Sequence, residues 1–275
     1  MIVYKQYQNI RYFSLEGPGE PIVLLHGFCE HAGIWADFAP KLSDAYYVIA
    51  MDLLGHTPYA EVADNTTFSI DDMADHVVRL LDYLNIPCAT VIGHSMGGYV
   101  ALNMLKRYPD YLSGLGLFHS TPYPDDEERK NIRNRMITLL KEGRKAQFVE
   151  LQMSRLTDEE GWKKIGSEKQ DEVFEMMLSI HHNGMIAALE AMRDRKSSVE
   201  VLMGTPVPVV FILGKKDALI PISSLQNVLT APQYAYTHVI QDAAHLGMLE
   251  NPEACCNAIK DFMKVKPLWI KQNQD

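Results

Sequence analysis

The sequence predicts an α/β protein: a mostly parallel, doubly wound sheet interrupted by a helical insertion. Three observations predict it. Short apolar runs alternate with amphipathic helical patterns as far as Phe118. One such run, Thr90-Val91-Ile92, enters Gly93-His94-Ser95-Met96-Gly97-Gly98, and a helical pattern (Val100, Leu102, Met104, Leu105) leaves it. From Thr121 to Met203 no strand run occurs, and then strand runs resume at Val207.

Residues 2–7 and 10–15 read as two short strands in a hairpin, closed off by the turn composition of Glu16 to Pro21. Ile22 to Leu25 is continuously apolar, as a strand buried on both faces must be. It ends at His26-Gly27-Phe28-Cys29. Ile34 to Phe38 begins a short helix pattern with Pro40 in its path, and Tyr46 to Ala50 is the next strand, ending at Asp52-Leu53-Leu54-Gly55-His56. Ser69, with Asp72 three residues on, reads as an N-cap, although Glu is the better partner at that third position. Met73, Val77, Leu80, Leu81 and Leu84 form one face of the helix that follows.

The next strand carries the serine. Glycines two positions to either side relieve the crowding of a very sharp turn, so the serine hydroxyl stands clear of the sheet. The amide of Met96 lies at the start of the following helix, where free N–H groups favour a developing anion. This is the G-x-S-x-G nucleophile elbow, with the strand before it and helix after it that the motif requires. The helix is expected to end near Tyr108, stopped by Pro109, and Leu112 to Phe118 reads as another strand.

Residues 121–203 read as an inserted helical cap over a core of residues 1–120 and 204–275. Pro124 and the acids Asp125 to Glu128 suit a first helical turn, and Ile132, Met136, Leu139 and Leu140 make its apolar stripe. Later stripes are Val173, Met176, Met177 and Ile180, then Met185, Ile186, Leu189 and Met192. The sheet resumes with Val207 to Leu213, ending at Gly214-Lys215-Lys216-Asp217. Pro221 to Leu229 is expected to be helical, Tyr236 to Ile240 the last strand, and Pro252 to Val265 the final helix.

Bulk properties narrow the function. The 275 residues suffice for one large domain with an insertion, and a net charge of −9 argues against nucleic-acid or anionic-membrane partners. Met1 to Tyr7 lacks an apolar core of signal-peptide length, and no run approaches the roughly 18 apolar residues of a membrane span, so a cytoplasmic protein is expected. The four cysteines (Cys29, Cys88, Cys255, Cys256) lack C-x-x-C spacing and read as buried free thiols. No G-x-G-x-x-G follows a strand, and neither a P-loop nor H-E-x-x-H is present, so no cofactor and no metal is implied. His181 and His182 are adjacent, and on a helix they would point apart, which disfavours joint ligation. The expected partner is a small-molecule substrate; the sequence leaves oligomeric state open.

Five stretches now stand together: Leu24-Leu25-His26-Gly27-Phe28, Asp52 to His56, Gly93 to Gly98, Leu213 to Asp217, and Ala244-His245. In this order, each at a strand's C-terminal end, they resemble the α/β-hydrolase family over nearly the whole chain outside the cap. The departure is His56-Thr57-Pro58, which replaces the usual small, glycine-containing turn after Gly55. The resemblance implies Ser95 as nucleophile, His245 as general base and then acid, and Asp217 as the acid that orients His245. It implies an oxyanion hole from the amides of Phe28 and Met96, with His26 in a structural role holding that loop. The rival acid position after Phe118 holds His119-Ser120-Thr121 and no carboxylate, and Asp242 reads as a turn residue. Cys29 lies beside the hole but lacks an elbow, so it is rejected as nucleophile.

The leading expectation is a serine hydrolase that cleaves a small-to-medium, partly apolar carboxylic ester through an acyl-enzyme. The same triad among relatives also cleaves carbon–carbon bonds of diketones, thioesters or lactones, and the fold also serves ligand-binding receptors. Members with an aspartate nucleophile, which act on epoxides or haloalkanes, are disfavoured by serine at position 95.

Overall fold

The computed structural model describes residues 2–272, with the side chains of 268–272 excepted; Met1 and residues 273–275, the outer ends of the expected core span, lie outside the described residues. Eight strands form one sheet in the order β1-β2-β4-β3-β5-β6-β7-β8. The hairpin β1 (Lys5–Tyr7) and β2 (Ile10–Leu15) pairs antiparallel, and β2 joins β4 (Tyr47–Met51) antiparallel at one edge. All further pairings are parallel, through β3 (Pro21–Leu25), β5 (Ala89–His94), β6 (Leu112–Phe118), β7 (Val209–Gly214) and β8 (Ala235–Ile240). The doubly wound, mostly parallel sheet expected from the alternation of patterns is therefore the observed fold.

The apolar runs have the burial that parallel strands demand. Every residue of β5 and β7 is buried, and so are four of the five in β3 and in β4. Register aligns the strand ends. Leu25 pairs with Gly93, His94 with Phe118, Phe118 with Ile212, and Gly214 with Ile240. The segments leaving β3, β5, β6, β7 and β8 therefore emerge along one edge of the sheet. From β3 the chain winds first to β4 and later to β5 on the opposite side, so strand order switches between β3 and β5. Open parallel sheets place ligands at such a switch, outside the carboxyl ends of the strands.

Between the strands lie a 3-10 turn at Ala32–Trp35, α1 (Pro40–Ser43), α2 (Ile70–Tyr83) and α3 (Met96–Arg107). Asp72 completes the capping box of α2 despite being the shorter acid: Ser69 Oγ accepts from the Asp72 amide, and Asp72 Oδ2 accepts from the Ser69 amide at 2.7 Å. After β6 come six helices and no strand: α4 (Glu127–Lys141), α5 (Lys145–Leu156), α6 (Glu159–Ile165), α7 (Ser167–Ser179), α8 (His182–Asp194) and α9 (Val199–Leu202). Helix α4 packs on α5 and α8, and α7 packs on α5 and α6. The chain closes with α10 (Gly247–Glu250) and α11 (Pro252–Gln272). No helix among the described residues is long and apolar enough to cross a membrane.

Two expectations fail. Pro221 to Leu229 forms only a three-residue 3-10 turn, Ile222–Ser224, followed by turns. Ser224 Oγ donates to the Pro221 carbonyl at 2.7 Å, a local bond that competes with helix propagation. The final helix runs past Val265 and through Pro267 to Gln272. Lys266 anchors that extra length: its buried ammonium donates to Glu20, Thr90 and Ser113 at 2.7–3.0 Å.

Candidate active site

Ser95 sits between β5 and α3 with φ 48° and ψ −109°, a left-handed backbone that a side chain adopts only where its surroundings impose it. Three hydrogen bonds impose it here. The Ser95 amide donates to the Phe118 carbonyl at 3.0 Å, and the Ser95 carbonyl accepts from the Gly98 amide at 3.0 Å and from Ser120 Oγ at 2.7 Å. The flanking glycines are required by close approach. A Cβ on Gly93 would run into the Gly97 backbone, and one on Gly97 would run into the carbonyls of Leu25 and His26.

His245, after β8, and Asp217, after β7, meet at the same edge. His245 Nδ1 lies 2.7 Å from Asp217 Oδ2. The other carboxylate oxygen accepts the amides of Leu219 and Ile220, both at 2.9 Å. Burial opposes ionisation of Asp217, but the electrostatic pull of His245 and hydrogen bonds from His119 and His245 outweigh it, and the carboxyl is held well below the usual range. With Asp217 ionised, Nδ1 of His245 carries the proton it donates, which leaves Nε2 as the basic atom.

His119 was passed over at the sequence level because it is not a carboxylate. Its Nδ1 lies 3.3 Å from the same Asp217 oxygen, its Nε2 is buried without a partner, and its φ is 47°. Burial holds its pKa down at about 4 against the pull of Asp217, so it faces the acid as a neutral donor. The ligand atoms of His119, Asp217 and His245 lie within 4.8 Å of one another, the spacing of a metal cluster. Both imidazole Nδ1 atoms are engaged with Asp217 Oδ2, so the cluster as built is a hydrogen-bonded acid site.

Glu30 was also unforeseen. This fully buried carboxylate accepts the Gly27 amide at 2.7 Å and His94 Nδ1 at 3.0 Å, and His94 Nε2 donates to the His245 carbonyl at 2.9 Å. Burial works against both charges, but each partner overcomes it for the other: the Glu30 pKa falls below and the His94 pKa rises above its ordinary value. One ion pair thus ties the loop after β3 to the elbow and to the backbone of His245. Its only sequence signal was a glutamate three residues after Gly27.

Phe28 and Met96 carry the two amides expected to face an oxyanion; neither amide has a protein acceptor among the described residues. Next to Phe28, Cys29 is fully buried with φ 62°, and burial pushes its thiol pKa well up, which leaves it a poor nucleophile. His26 Nδ1 donates to the Gly27 carbonyl at 2.7 Å and Nε2 accepts the Leu53 amide at 2.9 Å, bridging the loops after β3 and β4. His56, in the departing turn, stands edge-on to Phe28. Asp242 is exposed and accepts from Lys164 and Asn251 at 2.6 and 2.7 Å, away from His245. The expectation that His181 and His182 point apart is overturned. His181 caps α8 in an extended conformation instead of lying within the helix, and the two rings stack 4.4 Å apart.

Phe28, Ser95 and His245 line one cavity of about 380 Å³. Its opposite wall comes from α4, α5 and α8: Ile132, Met136, Leu156 and Met192 supply apolar surface, and Arg129, Arg133 and Arg155 supply charge. The stripe Ile132 and Met136 foresaw the apolar part. The arginines share that face because 129, 132, 133 and 136 are i, i+3, i+4 and i+7, and a count of apolar residues alone passes over them. Asp125, placed at the sequence level in a first helical turn, lies just outside α4, fully buried; it pairs with Arg133 and with Arg195, the latter at 2.7 Å.

Residues 20–136 match a family model described as alpha/beta hydrolase fold. The chain is 29% identical over 261 residues to the dihydrolipoyllysine-residue acetyltransferase component of the acetoin cleaving system of Pseudomonas putida. The match covers 93% of this chain and 66% of that protein, so the chain spans just under two thirds of its length. It is 27% identical over 268 residues to the pimeloyl-[acyl-carrier protein] methyl ester esterase of Methylococcus capsulatus, covering 92% of this chain and 98% of that protein. Among solved structures, a thermophilic esterase from Thermogutta terrifontis with malate bound superposes with a TM-score of 0.84 at 28% identity, covering 97% of this chain and 99% of that one.

Proposed function

We propose that this chain, which has the α/β-hydrolase fold, is a hydrolase that cleaves a small-to-medium carboxylic ester through an acyl-enzyme. The observation that carries the reading is the His245–Asp217 bond of 2.7 Å at the cavity that Ser95 lines. Similarity to two proteins named as esterases supports ester as the bond type.

In this mechanism Ser95 Oγ attacks the ester carbonyl carbon while its proton passes to His245 Nε2. The carbonyl oxygen becomes an oxyanion and takes hydrogen bonds from the Phe28 and Met96 amides, each worth about 3 kcal/mol in the transition state. Asp217 stabilises the imidazolium without taking its proton. Collapse expels the alkoxide, which leaves as the alcohol with the proton from His245. Water then repeats the sequence on the acyl-enzyme: His245 takes its proton, and Ser95 leaves with that proton as the acid is released. Residues 121–203 act in this reading as a cap whose helix faces choose the substrate.

The test is Ser95→Ala against short-chain activated esters, with fluorophosphonate labelling of the wild type. The expected results are a fall of about 10⁴-fold or more in kcat and covalent labelling at Ser95. Undiminished turnover by the variant, or a folded wild type that neither labels nor turns over any ester, overturns the proposal.

A further inference from the structure

The cap wall of the cavity holds more positive charge than the protein neutralises. Arg129 and Arg133 lie one turn apart on α4, and Arg155 reaches the same cavity from α5. Arg195 lies just behind, 3.9 Å over the ring of Tyr99, which also lines the cavity. On the cap side one buried carboxylate, Asp125, stands against these four guanidinium groups, shared by Arg133 and Arg195, and the buried carboxylate on the opposite wall, Glu30, is already engaged by His94. The side-chain contacts of the other two arginines are weaker. Arg129 donates to the Leu219 carbonyl at 2.8 Å, and Arg155 approaches only the Met136 sulfur at 3.7 Å. Among the described residues neither has a carboxylate at ion-pair distance. Asp126 and Glu128 also reach the cavity, but both are exposed, and Asp126 caps α4 by accepting the Arg129 amide at 2.8 Å.

We propose that Arg155 and Arg129, backed by Arg133, form an oxyanion-recognition subsite for the substrate, whose class is therefore a carboxylic ester bearing a second, negatively charged group. The proposal rests on the ester-hydrolase reading for the bond cleaved, and on the arginines alone for the charge. A guanidinium held partly out of water without a counterion is costly, and a carboxylate or phosphate entering beside it supplies charge-assisted, bidentate hydrogen bonds. Burial and then the neighbouring charges of Arg133 and Arg129 make it harder for Arg155 to hold its proton, a cost that an anion entering beside it would offset. The cavity of about 380 Å³ has the size of a small-molecule site. Its apolar side chains, Ile132, Met136, Leu156 and Met192, then pack the carbon chain between the two ends of such a molecule.

The probes are methyl hydrogen glutarate and its neutral near-isostere methyl pentanoate, followed by methanol release. The wild type is expected to favour the anionic ester by about tenfold or more in kcat/KM. Arg155→Gln is expected to reduce that preference at least about tenfold, mainly through KM, and Arg155→Lys to restore part of it. A preference near unity, or one unmoved by Arg155→Gln, overturns the subsite while leaving ester hydrolysis intact. Calorimetry with glutarate separates the two proposals. Binding to the wild type that is lost in a folded Arg155→Gln supports the subsite even if no ester is turned over, and no binding counts against it. Competition with inorganic phosphate names the source of the oxyanion: displacement of glutarate at comparable concentration assigns a phosphate, and failure to displace assigns a carboxylate.

Discussion

The sheet-borne part of the chain and the helical stretch between β6 and β7 treat charge in opposite ways. Near the sheet edge the ionisable groups are buried and already partnered: Glu30 with His94, Asp217 with His119 and His245, and Asp52 with Arg11. In the helical stretch Asp125 alone is buried and partnered, by Arg133 and Arg195; other charges there sit in exposed pairs such as Lys169 with Glu172, or face the cavity as Arg129 and Arg155 do, with no carboxylate at ion-pair distance among the described residues. The first arrangement fixes groups before any ligand arrives, which is what stabilising a short-lived charge requires. The second leaves the final partner to the ligand, which is what selecting a substrate requires.

The sharpest way to break this contrast is at Gly93. Gly93→Ala puts a methyl group into the Gly97 backbone, and backbone at the strand–helix junction has no rotamer in which to yield. The expected cost is more than about 4 kcal/mol, seen as loss of soluble, cooperatively folding protein. A variant that folds normally would show the junction to be looser than the geometry describes.

A smaller effect is expected at Glu30→Gln. The amide preserves shape and can still accept the Gly27 amide, but it removes one partner of a buried ion pair, at about 3 kcal/mol. The pH dependence has a definite sign. His94 has a raised folded pKa, so its contribution is complete below the unfolded value of about 6.5 and is lost as pH climbs through the folded one. Glu30 has a lowered pKa, so its contribution is present above about 4.3 and is lost as pH falls through its folded value. Urea midpoints of wild type and variant are therefore expected to differ most near about pH 5–6 and to converge as pH climbs through the raised folded value of His94. A gap that does not change with pH would mean that His94 is neutral in the folded protein. The variant is also expected to lower kcat, since His94 holds the His245 carbonyl.

What the sequence made legible follows the same division. Strand runs are buried on both faces, so their hydrophobicity is continuous and their ends are marked. Gly93, Ser95 and Gly97 are close in sequence because the elbow is a local structure, and Asp217 and His245 are found by following strand ends. Glu30 escaped because its meaning depends on His94, sixty-four residues away, meeting it beneath the loop. His119 escaped because a neutral donor beside an acid carries no charge signature. The arginines escaped because helix faces are assigned by apolar periodicity, and a face that lines a cavity mixes apolar and charged residues at the same spacing. His181 and His182 were misjudged because a cap residue does not follow helical geometry, and one residue of boundary turned divergent rings into a stack.

The smallest expected effect lies in the helical stretch and tests whether its backbone is as tightly constrained as the elbow. Gly143 ends α4 with φ 75°: the Arg144 amide donates to the Leu139 carbonyl at 3.0 Å and the Gly143 amide to the Leu140 carbonyl at 3.1 Å, the paired bonds of a left-handed helix stop. A Cβ there meets nothing within 4 Å, in contrast to Gly93. Gly143→Ala therefore carries only the cost of a left-handed alanine, about 1 kcal/mol, partly offset by the reduced freedom of the unfolded chain. Thermal unfolding is expected to shift by a few degrees, and the anionic-to-neutral ester preference to stay as in the wild type. A collapse of that preference would mean that the α4–α5 turn sets the position of Arg155, and the helical stretch would then be as preorganised as the sheet edge beneath it.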